Sequence, residues 1–443
     1  MDSSISYRSI WKVALPIMVS GIAQNVVNVT DSAFLGQLGE IAFGAAGNAG
    51  IIYFVLVITG MGFTTGAQII IGRRNGESNF AAIGKLFDHT IYSVIVLGLL
   101  TCGLVYFFLP SIINLLISSV NIGEAASQYL NWRLIGIPIA LLNFAFIAFF
   151  IGIKKTRILS YATLIMAGVN IFLDYALIFG HFGLPEMGIE GAAVASVCAE
   201  IASVLFLVGY TVKKVDREKY LLFKFVKIDV HMLRRMFKIS APIMLQSLIT
   251  LGSWLSFFVI IEHIGERELA ISHIVRSIYM VLIIPLFALS SAASTLVSNL
   301  IGEGKSELVL KLVFRIMTLS MLCTSVMLLL NIFVPEQMIL LFTNDLSMVD
   351  EAMPVMWVIS GSVFFFASAF IYFHAVTGTG KTGASLLIET VNVLIYLIGA
   401  HIIANVLHES LAMVWASEFI YFTFLGLASF FYLKYGNWKN AKV

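Results

Sequence analysis

Residues 239–270, ISAPIMLQSLITLGSWLSFFVIIEHIGERELA, repeat the plan of residues 13–44, VALPIMVSGIAQNVVNVTDSAFLGQLGEIAFG. Pro242 falls on Pro16, and Gly265 on Gly39. The correspondence continues along the chain. STLVSNLIGEGKSE (294–307) matches GAQIIIGRRNGESN (66–79), and TVNVLIY (390–396) matches GVNIFLD (168–174). The first pair, 32 residues each, is apolar over a length that suits a membrane span, for which about 20 mostly apolar residues suffice. The chain therefore reads as two copies of one membrane-embedded unit.

Composition supports this. The 443 residues are 59% hydrophobic and only 12% charged, with mean hydropathy +0.96, which excludes an ordinary soluble domain. Twelve apolar runs are long enough to span, at roughly 11–35, 45–71, 89–110, 130–153, 158–180, 188–212, 236–261, 274–301, 312–334, 352–378, 384–405 and 411–434. They are continuous rather than alternating, so a transmembrane barrel is excluded. The expected fold is an all-α membrane protein of twelve transmembrane helices in two pseudo-symmetric six-helix bundles. The longest polar stretch, KKVDREKYLLFKFVKIDVHMLRRMFK (213–238), follows the sixth span. It divides the chain into an N-terminal lobe at 1–212, a cytoplasmic linker at 213–235 and a C-terminal lobe at 236–443. An even number of spans per half makes the repeats parallel, a plan used by secondary transporters.

Of the 27 Lys and Arg, only Arg133, Arg267 and Arg276 fall on the side away from the termini. The positive-inside rule then places both termini in the cytoplasm of a cell (inner) membrane. MDSSISYRSIWK lacks the marks of a signal peptide. Cys102, Cys198 and Cys323 have no metal or redox spacing and read as packing residues. VTGTGKTG (376–383) and GEGKSE (302–307) suggest a P-loop, but Ala375 and Asn299 stand where its first glycine belongs. Nucleotide, nucleic acid and enzymatic chemistry are not expected, nor is a cofactor.

The repeat also works as an internal control. Asp31 stands opposite Phe257, and Asp174 opposite Tyr396, while Asn170 and Asn392 agree. Only the first half carries costly carboxylates at these places. An ionised Asp in mid-membrane costs at least about 2.5–3.5 kcal/mol on insertion scales. Asn170 and Asp174 share a helix face. Gln24, Asn28 and Asp31 form a polar stripe on the first span. Oxygen ligands of this kind suit a hard cation such as Na⁺, and buried carboxylates can also carry protons. In MGIEGAAVASVCAE (187–200), Ser196 can add a hydroxyl; Glu200 lies deeper in the span, with Glu418 at the matching place. His374 and Glu389 are candidates for a second proton or substrate site.

PIMVSGIAQNVVNVTDSAFLGQLG, AQIIIGRRNG, VNIFLDYALIFGHFGLPEMGIEGAAVAS and TLVSNLIGEGK together resemble the multidrug and toxic compound extrusion (MATE) family, prokaryotic branch. The resemblance covers essentially the whole chain. It implies twelve helices in a V-shaped pair of bundles and antiport of organic, often cationic, compounds against Na⁺ or H⁺. It implies a cation site at Asp31, Asn170, Asp174 and Ser196, where the family has Thr in place of Ser196. One branch adds a span-7 Glu and a span-10 Asp; here Thr250 takes the first place and span 10 has no acid. The implied partners are small organic molecules and membrane lipid, and the chain is expected to act as a monomer. The rival within the same superfamily is a flippase or exporter of lipid-linked or other large anionic substrates. It would need a basic lining, and the spans contain almost no Lys or Arg.

Overall fold

The computed structural model describes residues 5–439, and all regular structure among them is helical. The α-helices are α1 (Tyr7–Gln37), α2 (Glu40–Gly76), α3 (Phe80–Leu116), α4 (Val120–Gly152), α5 (Arg157–Phe179), α6 (Gly188–Lys214), α7 (Arg217–Tyr220), α8 (Val230–Glu262), α9 (Glu266–Leu282), α10 (Ile284–Gly302), α11 (Val309–Phe333), α12 (Pro335–Leu340), α13 (Leu346–Gly378), α14 (Thr382–His401), α15 (Leu411–Trp415) and α16 (Ser417–Tyr435). Twelve helical segments are long and apolar enough to cross a membrane, as the sequence predicts. The eighth differs in detail. The apolar run at 274–301 is broken between Leu282 and Ile284, where Pro285 sits in the first turn of α10.

Local sequence sets the helix ends. Asn79 caps α3 by accepting the Ala82 N–H at 3.3 Å, and Asp345 caps α13 by accepting the Ser347 N–H at 2.9 Å. Helix α5 ends at Gly180, which adopts φ +71° and closes the last turn with its N–H on the Ala176 carbonyl.

The chain forms two compact units. The N-unit is Leu15–Met244. The C-unit runs from Leu245 and includes the described residues up to Ala14. Both crossings lie within α1 and α8, beside Pro16 and Pro242. In the N-unit, α4 packs against α2, α3 and α6, and α5 pairs with α6. Small residues permit these approaches: a Cβ on Gly98 would stand 2.6 Å from Pro138 Cα, and one on Gly191 would stand 2.7 Å from the Leu177 carbonyl. In the C-unit, α13 is the hub for α9, α10, α11 and α16. Its core joins Phe257, Tyr279, Tyr396, Trp415 and Phe422. The first turns of the chain belong here too, since Arg315 donates to the Ile5 carbonyl at 2.7 Å.

The stretch between α6 and α8 is laid along α3. Tyr92 donates to the Val226 carbonyl at 3.2 Å, and His89 Nε2 accepts the Asp229 N–H at 2.8 Å. Lys85 pairs with Asp229 at 2.7 Å. That ammonium and the Met232 N–H hold the Asp229 carboxyl at about 2, below the usual carboxylate range. Its contribution is therefore present above the unfolded value near ~3.9 and is lost as pH falls toward about 2. A Cβ on Gly84 would stand only 2.1 Å from the Tyr220 carbonyl oxygen. Gly84→Val is expected to lift this segment off α3 and speed its cleavage by trypsin at the exposed lysines between Lys213 and Lys227. Limited digestion at neutral pH checks this; a cutting rate equal to wild type would refute it.

Candidate cation site

Two helices of the N-unit, α1 and α5, build the site. Helix α1 is tied to α5 where the Ser160 hydroxyl donates to the Pro16 carbonyl at 2.9 Å. At the other end of the same contact, Phe34 packs on Tyr175 and Phe179 with ring centroids 6.2 and 5.9 Å apart. Between these anchors Asp31 faces Asp174, their carboxyl groups within hydrogen-bonding reach of each other. Asp174 is 0% exposed and Asn170 1%. No protein donor serves Asp31 Oδ1, either oxygen of Asp174, or the Asn170 amide, whose nitrogen is also unpartnered.

Two carboxylates cannot hydrogen-bond without something positive between them. Buried polar atoms are nearly always paired, so four orphaned oxygens gathered from α1 and α5 fit a proton or a hard cation. Among the described residues, no group of three or more His, Cys, Asp and Glu gathers as a metal centre. This donor set, two carboxylates with a neutral amide, suits a monovalent ion better than zinc.

The C-unit supplies the control. Phe257 and Tyr396, the repeat counterparts of Asp31 and Asp174, also meet in space, with ring centroids 5.6 Å apart. Both are buried, and Asn392 repeats Asn170, fully buried with both amide atoms unpartnered. The two units thus share one geometry at this point. One fills it with carboxylates, the other with aromatic rings.

The remaining sequence candidates are dispersed. Gln24 donates to Asn28 at 3.3 Å along α1, and Asn28 is exposed. Ser196 is half-buried on α6, with no side-chain hydrogen bond to the Asp pair. Glu389 on α14 accepts from the Thr250 hydroxyl at 2.6 Å and from Tyr421 at 2.7 Å, leaving Oε2 unpartnered. His374 lies against the rings of Phe370 and Phe373 and shares no hydrogen bond with Glu389. Glu200 accepts from both terminal nitrogens of Arg133, at 3.1 Å each. Sequence reasoning missed Arg133, counting it among the charges of the outer face. It is in fact buried inside the N-unit. Its place more than three turns into α4 was the available signal.

The MatE family model matches residues 16–176 and 242–407, one span in each half of the repeat. The chain belongs to the MatE family. Among curated proteins it is 27% identical over 299 residues to a probable multidrug resistance protein NorM of Agrobacterium fabrum, covering 67% of this chain and 64% of that one. It is 27% identical over 388 residues to a probable multidrug resistance protein NorM of Thermotoga maritima, covering 87% of this chain and 83% of that one. The fold matches an outward-facing multidrug resistance MATE family transporter of the MOP superfamily with TM-score 0.88 at 17% identity, over 97% of this chain and 94% of that one. It also matches a Pyrococcus furiosus MOP superfamily transporter described as having reversed binding-pocket polarity, with TM-score 0.86 at 18% identity and the same coverage. A MATE protein of this kind is a multi-pass membrane transporter.

Proposed function

We propose that this MATE protein is a secondary antiporter. It exports organic, often cationic, compounds in exchange for Na⁺ or H⁺ by alternating access. The observation that carries this reading is the donorless Asp31–Asp174 pair, present in one unit and replaced by Phe257 and Tyr396 in the other. A purely structural role for the carboxylates would apply to both copies of the shared geometry. Asp31, Asn170 and Asp174 bind the coupling ion; Glu389, with Thr250 and Tyr421, is an accessory polar site in the C-unit. Exchange follows because cation and drug each favour a different state, as linkage requires. The distribution of Lys and Arg supports termini on the cytoplasmic side. The flippase alternative gains nothing from Arg133, whose charge is answered by Glu200.

The test is ethidium efflux from proteoliposomes under an imposed Na⁺ gradient and, separately, an imposed pH gradient. Acceleration by either gradient is expected, and Asp31→Asn should remove it. Efflux indifferent to both gradients would sink the antiporter reading.

A further inference from the structure

The Asp pair shares the interior of the N-unit with a buried positive charge, Arg133. The Arg133 guanidinium, on α4, lies over the Tyr53 ring of α2 at 3.9 Å. Both of its terminal nitrogens donate to Oε1 of Glu200 on α6, and the Tyr53 hydroxyl donates to the same oxygen at 3.4 Å. Gly136, one turn along α4, makes room for this contact: a Cβ there would stand 2.8 Å from Val197 Cγ2 and 3.3 Å from Glu200 Oε2. Three elements thus converge on one guanidinium.

That guanidinium is also within electrostatic reach of Asp31 and Asp174. In the C-unit Glu418, the repeat counterpart of Glu200, is held instead by the Ser362 hydroxyl at 2.8 Å. Arginine stays charged under all relevant conditions. Three carboxylates and one guanidinium leave two negative charges to be answered. Which of them are answered depends on where Arg133 sits. Docked on Glu200, it leaves the whole demand at the Asp pair. Released from Glu200, it can satisfy half of that demand itself.

We propose that Glu200 sequesters Arg133, so that a cation from solution, rather than this built-in one, neutralises Asp31 and Asp174. Glu200 and Arg133 are then positioning residues that set how strongly the pair attracts its ion. The proposal rests on the reading of the Asp pair as a cation site.

The experiment measures the concentration of the driving cation, Na⁺ or H⁺, that gives half-maximal ethidium efflux from proteoliposomes. Four proteins are compared: wild type, Glu200→Gln, Arg133→Gln and the double variant. Glu200→Gln should raise the half-saturating concentration by about tenfold, because an unpaired guanidinium then competes for the pair. Arg133→Gln should lower it, because a negative charge is gained. The double variant should return to within about threefold of wild type. A merely structural pair would instead weaken all three in the same direction, with the double variant no better than the singles, and that result overturns the proposal. If Glu200→Gln does not accumulate, Arg133→Gln decides alone: an unchanged or raised concentration overturns the proposal. Wild type indifferent to both cations removes the site reading and this proposal together. Wild type that responds while all variants match it removes only the proposal.

Discussion

Asp174→Asn is expected to leave a folded protein that no longer couples efflux to an ion gradient. The substitution keeps the size of the side chain at a fully buried position and removes the charge that a cation would answer. Interactions with a charged group of this kind contribute about 1.5–3 kcal/mol, so apparent cation affinity should fall by about tenfold to a hundredfold. Folding should not suffer, because replacing a buried carboxylate that has no protein donor by a neutral amide removes a desolvation cost. The measurements are a melting curve in detergent beside gradient-driven efflux in proteoliposomes. An unchanged rate with unchanged ion dependence would refute the assignment of Asp174.

Phe257→Asp should behave in the opposite way. It places a carboxylate at the C-unit position that corresponds to Asp31, but among the rings of Tyr396, Phe258 and Trp415. Phe257 is 0% exposed, and the side chain facing it is the Tyr396 ring rather than a second acid. Loss of the ring costs about 3–5 kcal/mol, and the unpaired polar group adds to that. The variant should accumulate poorly or melt far below wild type. Wild-type stability would mean that the C-unit tolerates charge there as the N-unit does, and the contrast between the units would lose its functional meaning.

How much of this could be read in the sequence varies with distance along the chain. Twelve spans were legible because apolar length is a local property, while the breaks before Pro285 and at Ala416 escaped. The Asp pair was legible because the repeat supplies a reference: Asp31 and Asp174 stand where Phe257 and Tyr396 do, and the structure brings both couples together. Arg133 was not, because its meaning lies in Glu200, 67 residues away, and in a glycine that lets two helices touch. Likewise Thr250 and Glu389 were each visible, but their hydrogen bond spans 139 residues and two helices of the C-unit. Composition and periodicity carry no record of such pairings. Only the packed helices reveal them.

The passage of the chain between units inside α1 and α8 also bears on the order of assembly during synthesis. Ile5 is made 310 residues before Arg315, the side chain that holds its carbonyl. The opening turns of α1 must therefore wait through translation of the entire first half before their docking surface exists. The N-unit, for its part, is complete only when the ribosome has passed Met244 and the initial turns of α8 have been inserted. Neither half can finish without a piece delivered from the other half of the message, so the two units are obliged to mature as one.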